Sequence, residues 1–273
     1  METMERFETY LMQEEKSELT IEKYLRDVRH FLSWLGDRKL NKSHILEYKA
    51  ELIETYAVTS ANSMLSSLNS YLEFIGRHDC RVKTIKQQRR TFLPEEKELS
   101  REEYRRLLKA AEGKKRLWLL MQTICATGIR VSEHRFITVE AAKAGYAQVC
   151  LKGKFRVVFL PKKLCTLLLK YAKTQKIRTG SIFVTASGKP MNRCNIWAEM
   201  KKLCRTARVS REKVFPHNLR HLFARIFYSI EKDIVRLADI LGHSSINTTR
   251  IYTMESGRTH RRQLQRIESL LVT

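Results

Sequence analysis

Three stripes of apolar side chains at helical spacing fill the first 86 residues, and they leave that part of the chain little choice of fold. Ile21, Tyr24, Leu25, Val28, Phe31, Leu32 and Leu35 follow Thr20 on one face, with Gly36 as the stop. A second stripe holds Ile45, Leu46, Lys49, Leu52, Ile53 and Tyr56. A third holds Ala61, Met64, Leu65, Leu68, Tyr71, Leu72 and Ile75, closed by Gly76. Isolated helices of this length are marginal in water, so the stripes must bury one another. Three or four such helices predict a small bundle over residues 1–86. Its polar faces carry Lys23, Arg26 and Lys49, expected to be solvated or to touch phosphates.

Beyond Lys86 the pattern breaks. Residues 87–99 contain Gln87, Gln88, Arg89 and Arg90, then Phe92-Leu93-Pro94 and an acidic cluster without an apolar stripe, which predicts a linker. Ser100 and Glu103 have the spacing of a capping box, so a second domain is expected over residues 100–273. Leu117 to Cys125 is apolar on most faces and predicts a buried helix, broken by Thr127-Gly128 so that Arg130 is presented at a turn. Val149, Leu151, Phe155, Val157 and Phe159 around Lys152-Gly153-Lys154 predict a hairpin, with a third short strand near Ile182 to Thr185. From Asn195 onward the pattern is helical. The expected fold is mainly α with a small antiparallel β-sheet, in two domains.

Charge divides the chain in the same place. The net charge is +23; the first 86 residues carry 13 basic and 14 acidic side chains, the remaining 187 carry 39 and 15. A one-sided excess of this size is the footprint of a polyanion, because each phosphate neutralised releases condensed counterions. Cys80, Cys125, Cys150, Cys165, Cys194 and Cys204 form no Cys-x-x-Cys pair and lack histidines at metal spacing. They are expected to be reduced and mostly buried, with no metal and no cofactor. A charged, amphipathic start and the lack of an apolar run of about eighteen residues argue against export and membrane insertion, so the cytoplasm is the expected compartment.

The second domain carries a set of cationic donors and one phenol suited to phosphodiester chemistry. Attack on a phosphodiester builds charge on the nonbridging oxygens, for which two guanidiniums are a natural clamp; Arg130 and Arg220 fit. His217, three residues before Arg220, shares its helical face and can take the proton of an attacking phenol. His243, after Gly242, can donate to phosphate. Tyr252 is the candidate nucleophile, with Tyr171 and Tyr228 as competitors, and such a phenol needs a base or cationic surroundings because an ordinary one titrates near pH 10. A lysine on the hairpin can protonate the leaving 5′ oxygen.

The motifs Ala-Thr-Gly-Ile-Arg-Val-Ser-Glu, Pro-His-Asn-Leu-Arg-His, Leu-Gly-His-Ser-Ser-Ile-Asn-Thr-Thr and Ile-Tyr-Thr, in that order, resemble those of tyrosine site-specific recombinases of the phage-type integrase and Xer group. The resemblance covers nearly the whole chain. It implies a two-domain clamp, a core-DNA-binding bundle followed by a catalytic domain with a C-terminal tail. It implies strand cleavage by Tyr252 to a 3′-phosphotyrosine, with Arg130, Lys152, His217, Arg220 and His243 as catalytic partners. Glu133 and His221 would support the site. The hairpin is apparently one residue shorter than the family's Gly-Lys-Gly-x-Lys-x-Arg turn, so Lys154 is the alternative to Lys152 as general acid.

Expected partners are double-stranded DNA with specific recombination sites and three further copies of the chain, as a tetramer on two sites. Leu264, Ile267, Leu270 and Leu271, after the basic stretch Arg258 to Arg262, would dock in trans on a neighbour. The chain is also expected to open directly at the core-binding bundle, without room for an arm-binding domain, which suits simple sites. Integration, excision, inversion and dimer resolution stay open. Two other classes share parts of the pattern: a type IB topoisomerase uses the same phosphotyrosine chemistry, and a noncatalytic DNA-binding regulator shares the charge but has no need of Tyr252, Arg130 and Arg220 together.

Overall fold

The computed structural model describes residues 2–86, 98–151, 154–185 and 187–253, together with residue 265. The chain separates into two compact units, Met1–Arg89 and Arg90–Thr273.

The first unit is four helices: α1 (Glu2–Gln13), α2 (Glu18–Leu35), α3 (Lys42–Thr55) and α4 (Val58–Phe74), followed by a 3-10 turn at His78–Cys80. Phe7 and Leu11 of α1 pack with Ile21, Leu25, Val28 and Tyr71, so the N-terminal segment closes the bundle alongside the three striped helices. On α3 the buried stripe is Ile45, Tyr48 and Leu52, whereas Leu46 and Ile53 are exposed; the aromatic at Tyr48 lies against Phe31 and Trp34 and decides which face turns inward. Lys23 is no solvated residue. Its ammonium holds the Asp27 carboxylate, the Ser67 hydroxyl and the Ser63 carbonyl. Lys49 likewise donates to Lys83 O.

The second unit holds α5 (Arg101–Ala110), α6 (Lys115–Thr127), a 3-10 turn (Val131–Phe136), α7 (Val139–Ala144), strands β1 (Tyr146–Leu151) and β2 (Lys154–Phe159), α8 (Lys162–Thr174), α9 (Arg193–Lys201), α10 (Cys204–Ala207), a 3-10 turn (Arg211–Lys213), α11 (Pro216–Glu231), α12 (Ile234–Leu241) and α13 (Ile246–Thr253). The capping box forms as expected: Glu103 N donates to Ser100 Oγ (3.1 Å) and Ser100 N to Glu103 Oε2 (2.8 Å). Such a cap contributes about 1 kcal/mol. Leu117, Leu119, Leu120, Met121 and Ile124 make α6 the buried centre of the unit. Leu99 already belongs to this core, held by Arg225, which donates to Leu99 O and to the Glu98 carboxylate. Residues 87–97 of the expected linker lie outside the described residues.

The sheet has two antiparallel strands among the described residues, with Val149 opposite Arg156 and Ala147 opposite Val158. The third strand expected near Ile182 to Thr185 is reduced to two isolated bridges, Thr138 to Ser181 and Val184 to Pro190. Ile182 and Phe183 are consecutive and both fully buried, which a half-buried strand of period two does not allow. The hairpin also departs from its apolar pattern. Leu151 pairs with Lys154, so odd positions oppose even ones, and Val149 faces the core while Phe155 and Phe159 stand on the outer face, 79% and 78% exposed. All six cysteines are free; Cys80 and Cys204 are buried, Cys125, Cys150 and Cys165 half-buried and Cys194 exposed, so fewer are fully buried than expected. Among the described residues no helix is long and apolar enough to cross a membrane.

Candidate active site

The site is assembled around the C-terminal end of α12, where Gly242 adopts a left-handed conformation (φ 65°) and ends the helix. The last carbonyls of a helix have no partner within it and carry its negative dipole end. Here each meets a different guanidinium. Ile240 O accepts from Arg156 Nη1, Leu241 O from Arg220 Nη2 (2.7 Å) and Gly242 O from Arg130 Nη2 (3.2 Å). The helix end thereby gathers three cations that would otherwise repel one another.

Arg130 reaches this point through Gly128, the left-handed cap of α6 (φ 66°). A side chain there is excluded twice over, by the backbone and by the Phe223 ring, which a Cβ would approach to 2.5 Å. Gly128 O in turn accepts from Arg220 Nη1 (2.6 Å). Two residues later Arg130 opens the 3-10 turn, its N–H donating to Glu133 Oε2 (2.7 Å) and its Nη1 to Glu133 Oε1 (3.1 Å). Glu133 is 1% exposed and Arg130 40%, so the carboxylate is a buried anchor and the guanidinium reaches solvent.

Arg220 sits on α11, which Pro216 starts at a position where a missing N–H costs nothing. Its side chain is 1% exposed. Besides the two carbonyls it donates from Nη2 to His243 Nε2 (2.9 Å). Burial, then Arg130, lowers its pKa to about 10, against which the charge and hydrogen bond of the Tyr252 hydroxyl work in the opposite sense. The guanidinium therefore stays charged at neutral pH. Because a guanidinium only donates, His243 Nε2 is the acceptor and the ring proton lies on Nδ1, donated to Thr249 Oγ1 (2.8 Å).

Three imidazoles surround the phenol, and all are held neutral. Burial, followed by the guanidiniums of Arg220, Arg130 and Arg156, pulls His243 down to about 4. Burial and His217 pull His221 to about 3. His217 reaches solvent at the cavity mouth, yet the protein packed around it and the charges of Arg220 and Arg130 still disfavour its protonated form. Tyr252, on the last turn of α13, stacks on His243 (ring centroids 5.7 Å, 18° between planes) and meets His221 edge-on at 4.5 Å; His217 is 6.5 Å away. Ala224, Leu237 and Leu241 pack around it, leaving it 4% exposed. Beside this cluster opens a cavity of about 610 Å³, lined by Arg130, Ser132, Arg193, Trp197, His217 and Arg220 among others.

Arg130, Glu133, His217, Arg220, His221, His243 and Tyr252 are thus brought together within one unit. Lys152 lies outside the described residues, as do Leu264, Ile267, Leu270, Leu271 and the basic stretch before them; Lys154 opens β2, its side chain undescribed. Sequence reasoning missed Arg156 and Thr249. Thr249 is a fully buried hydroxyl within the quoted Asn-Thr-Thr motif, and Arg156 stands where the family's Gly-Lys-Gly-x-Lys-x-Arg motif ends, but neither was given a role. Among the described residues no group of three or more His, Cys, Asp or Glu side chains is placed to hold a metal ion.

Known proteins with this organisation are consistent with the geometry. Residues 97–258 match the model of the phage integrase family and residues 4–78 that of the phage integrase N-terminal SAM-like domain. A tyrosine recombinase XerA of Thermococcus kodakarensis is 34% identical over 263 residues, 92% of this chain and 90% of that protein. The crystal structure of a XerA recombinase superposes with a TM-score of 0.55 at 26% identity, covering 97% of both chains. A lambda integrase (75–356) dimer bound to a COC′ core site gives 0.75 at 19% identity, covering 94% of this chain and 96% of that one. A lambda integrase tetramer bound to a Holliday junction gives 0.72 at 20%, covering 92% and 76%. At those identities the lambda integrase likenesses speak for the fold.

Proposed function

The chain belongs to the phage integrase family, and on that premise we propose that it cleaves and rejoins DNA at specific sites through Tyr252. It is a site-specific DNA recombinase. The observation that carries the assignment of roles is the stacking of Tyr252 on His243, whose Nε2 accepts from the buried guanidinium of Arg220. The phenol oxygen attacks phosphorus, the bond to the 5′ oxygen breaks, and a 3′-phosphotyrosine and a free 5′ hydroxyl result. The phenolic proton passes to His217, neutral and therefore able to accept it. Lys152, or Lys154 in its place, returns a proton to the 5′ oxygen. A 5′ hydroxyl from the partner strand then reverses the step, so the phosphodiester energy is conserved.

Arg130 and Arg220 clamp the nonbridging oxygens. Arg220 holds two carbonyls and His243 while its Nε has no partner, and Tyr252 is buried. Attack on a phosphate therefore requires α13 to shift and expose the phenol, and Arg220 can meet a phosphate oxygen either with a donor not yet used or by giving up one protein acceptor. Once released by Arg220, His243 Nε2 can take a proton and become a phosphate donor; until then it braces the guanidinium. Glu133 and His221 hold Arg130 and Tyr252 in place.

Residues 1–86 form the core-DNA-binding domain and residues 100–273 the catalytic domain, which close on the duplex as a clamp. Four copies assemble on two sites, with the segment after Tyr252 docking in trans, and the protein works in the cytoplasm, where its DNA lies. A suicide duplex nicked beside the cleavage position tests the reading. Covalent adduct from the parent and none from Tyr252→Phe, with equal gel shifts, is expected; a gel shift without adduct from the parent would make the protein a DNA-binding regulator.

A further inference from the structure

Arg156 is the one guanidinium of the cluster to which the proposed chemistry gives no task. It sits on the inner face of β2, opposite Val149, with its side chain 13% exposed. Its Nη2 donates to Glu133 Oε2 (2.5 Å), its Nη1 to Ile240 O, and its Cδ lies so close to Gly242 that a Cβ there would come within 2.6 Å. Direct contact with DNA is a poor use of such a group, since both of its terminal nitrogens are aimed inward.

The acceptors of Arg130 lead to a better one. The Arg130 guanidinium is held at two points, Glu133 Oε1 and Gly242 O. Arg156 holds the other oxygen of that same carboxylate, and it holds the turn that ends in that same glycine. Both aiming points of Arg130 are thus secured by one side chain from a different element. Without it, Glu133 would be a buried carboxylate with one guanidinium left to neutralise it, and the pair would close into a bidentate ion pair that draws Arg130 away from Gly242. Burial lowers the pKa of Arg156 and Glu133 raises it again, as for a cation kept in place by that carboxylate.

We propose that Arg156 is a positioning residue for strand cleavage, which sets the aim of Arg130 at the scissile phosphate by holding Glu133 and the Ile240–Gly242 turn together. The proposal rests on the reading of Arg130 as a phosphate clamp. Displacement of a catalytic group by about 1 Å can cost on the order of 100-fold in rate. The effect belongs to the chemical step, because binding of DNA draws on the many other basic residues of the unit.

A double-mutant cycle on the suicide duplex tests it, with single-turnover adduct formation as the rate and gel shift as the affinity. Arg156→Met is expected to slow cleavage by roughly 10- to 100-fold with affinity within about threefold. Arg130→Lys, which keeps the charge and loses the fork, is slowed as well. In the Arg130→Lys/Arg156→Met protein the two losses should not multiply: its rate should equal that of Arg130→Lys alone. Multiplying losses, or parental cleavage by Arg156→Met, would overturn the proposal. Should Arg156→Met fail to fold, Arg156→Lys is combined with Arg130→Lys and judged by the same rule. A parental rate from Arg130→Lys, or adduct from Tyr252→Phe, would instead defeat the underlying reading of the site.

Discussion

Both units bury ionised side chains, and they do so to opposite ends. In the first unit Asp27, 7% exposed, faces the Lys23 ammonium and the Ser67 hydroxyl, and Lys23 also reaches Ser63 O. The second cation on Asp27, Arg26 at 3.5 Å, reaches solvent, and no buried side-chain polar atom of this unit lacks a partner among the described residues. In the second unit Arg130 and Arg156 share a single carboxylate, Glu133, Arg220 has no carboxylate partner among the described residues, and the remaining neutralisation comes from carbonyls, those at a helix end among them. Arg156 Nε and Arg220 Nε are buried without a hydrogen-bond partner, and all such orphaned atoms among the described residues belong to this unit. Balanced buried charge holds a bundle together. Unbalanced buried cation is a cost to the free protein, and an incoming phosphate offsets it.

The sharpest way to break this comparison is to remove the unbalanced charge itself. Arg220→Met should lower the rate of adduct formation by about 100- to 1,000-fold, yet leave thermal stability within about 1 kcal/mol of the parent, because an apolar side chain relieves a burial penalty while losing the carbonyl bonds. A drop in melting temperature as large as that of a core truncation would show that Arg220 is an architectural residue like Asp27. The complementary change is Asp27→Ala, which leaves Lys23 and Ser67 without their acceptor. It is expected to cost about 3 kcal/mol in urea unfolding, with adduct formation per folded molecule unchanged at low temperature.

Gly242→Ala tests the joint between hairpin and helix end. A positive φ and the approach of Arg156 both oppose the methyl group, so a loss of about 1–3 kcal/mol is expected, together with slower cleavage. Stability lost with cleavage unaffected would separate the turn from the aim of Arg130. The smallest effect concerns pH. His221 is held near 3 in the folded protein against an ordinary value near 6.5, so only the unfolded chain takes up that proton between those limits. Its contribution is constant above pH 6.5 and is lost on acidification, by up to about 1.4 kcal/mol per pH unit. The stability gap between the parent and His221→Gln should therefore narrow from pH 7 to pH 5. A constant gap would mean that His221 titrates alike in both states.

The stripes of α2 and α4, the Ser100–Glu103 cap, the apolar α6 and the helix stops at Gly36, Gly128 and Gly242 were legible because each follows from local spacing or from one residue's backbone freedom. So were Arg130, Glu133, His217, Arg220, His221, His243 and Tyr252 as candidates, through ordered motifs. Family membership rests on those same motifs. The inward face of β2 was not legible, because its outer face is the more apolar one and a period of two offers no preference between faces once the core is supplied by other elements. Nor was the solvated or buried state of Lys23, which depends on Asp27 and Ser67 meeting it from α2 and α4.

By itself, the amino-acid sequence determined a helical chain in two parts, the basic character of the second, and the inventory of groups for phosphodiester cleavage. Tertiary structure alone decided how three guanidiniums can sit together with one carboxylate between two of them: it brings the carbonyls of Ile240, Leu241 and Gly242 to side chains from α11, β2 and the turn after α6. Local propensity places each residue on its own element. Repulsion between like charges is overcome only where distant backbone dipoles and Glu133 converge, and that convergence is a property of packing.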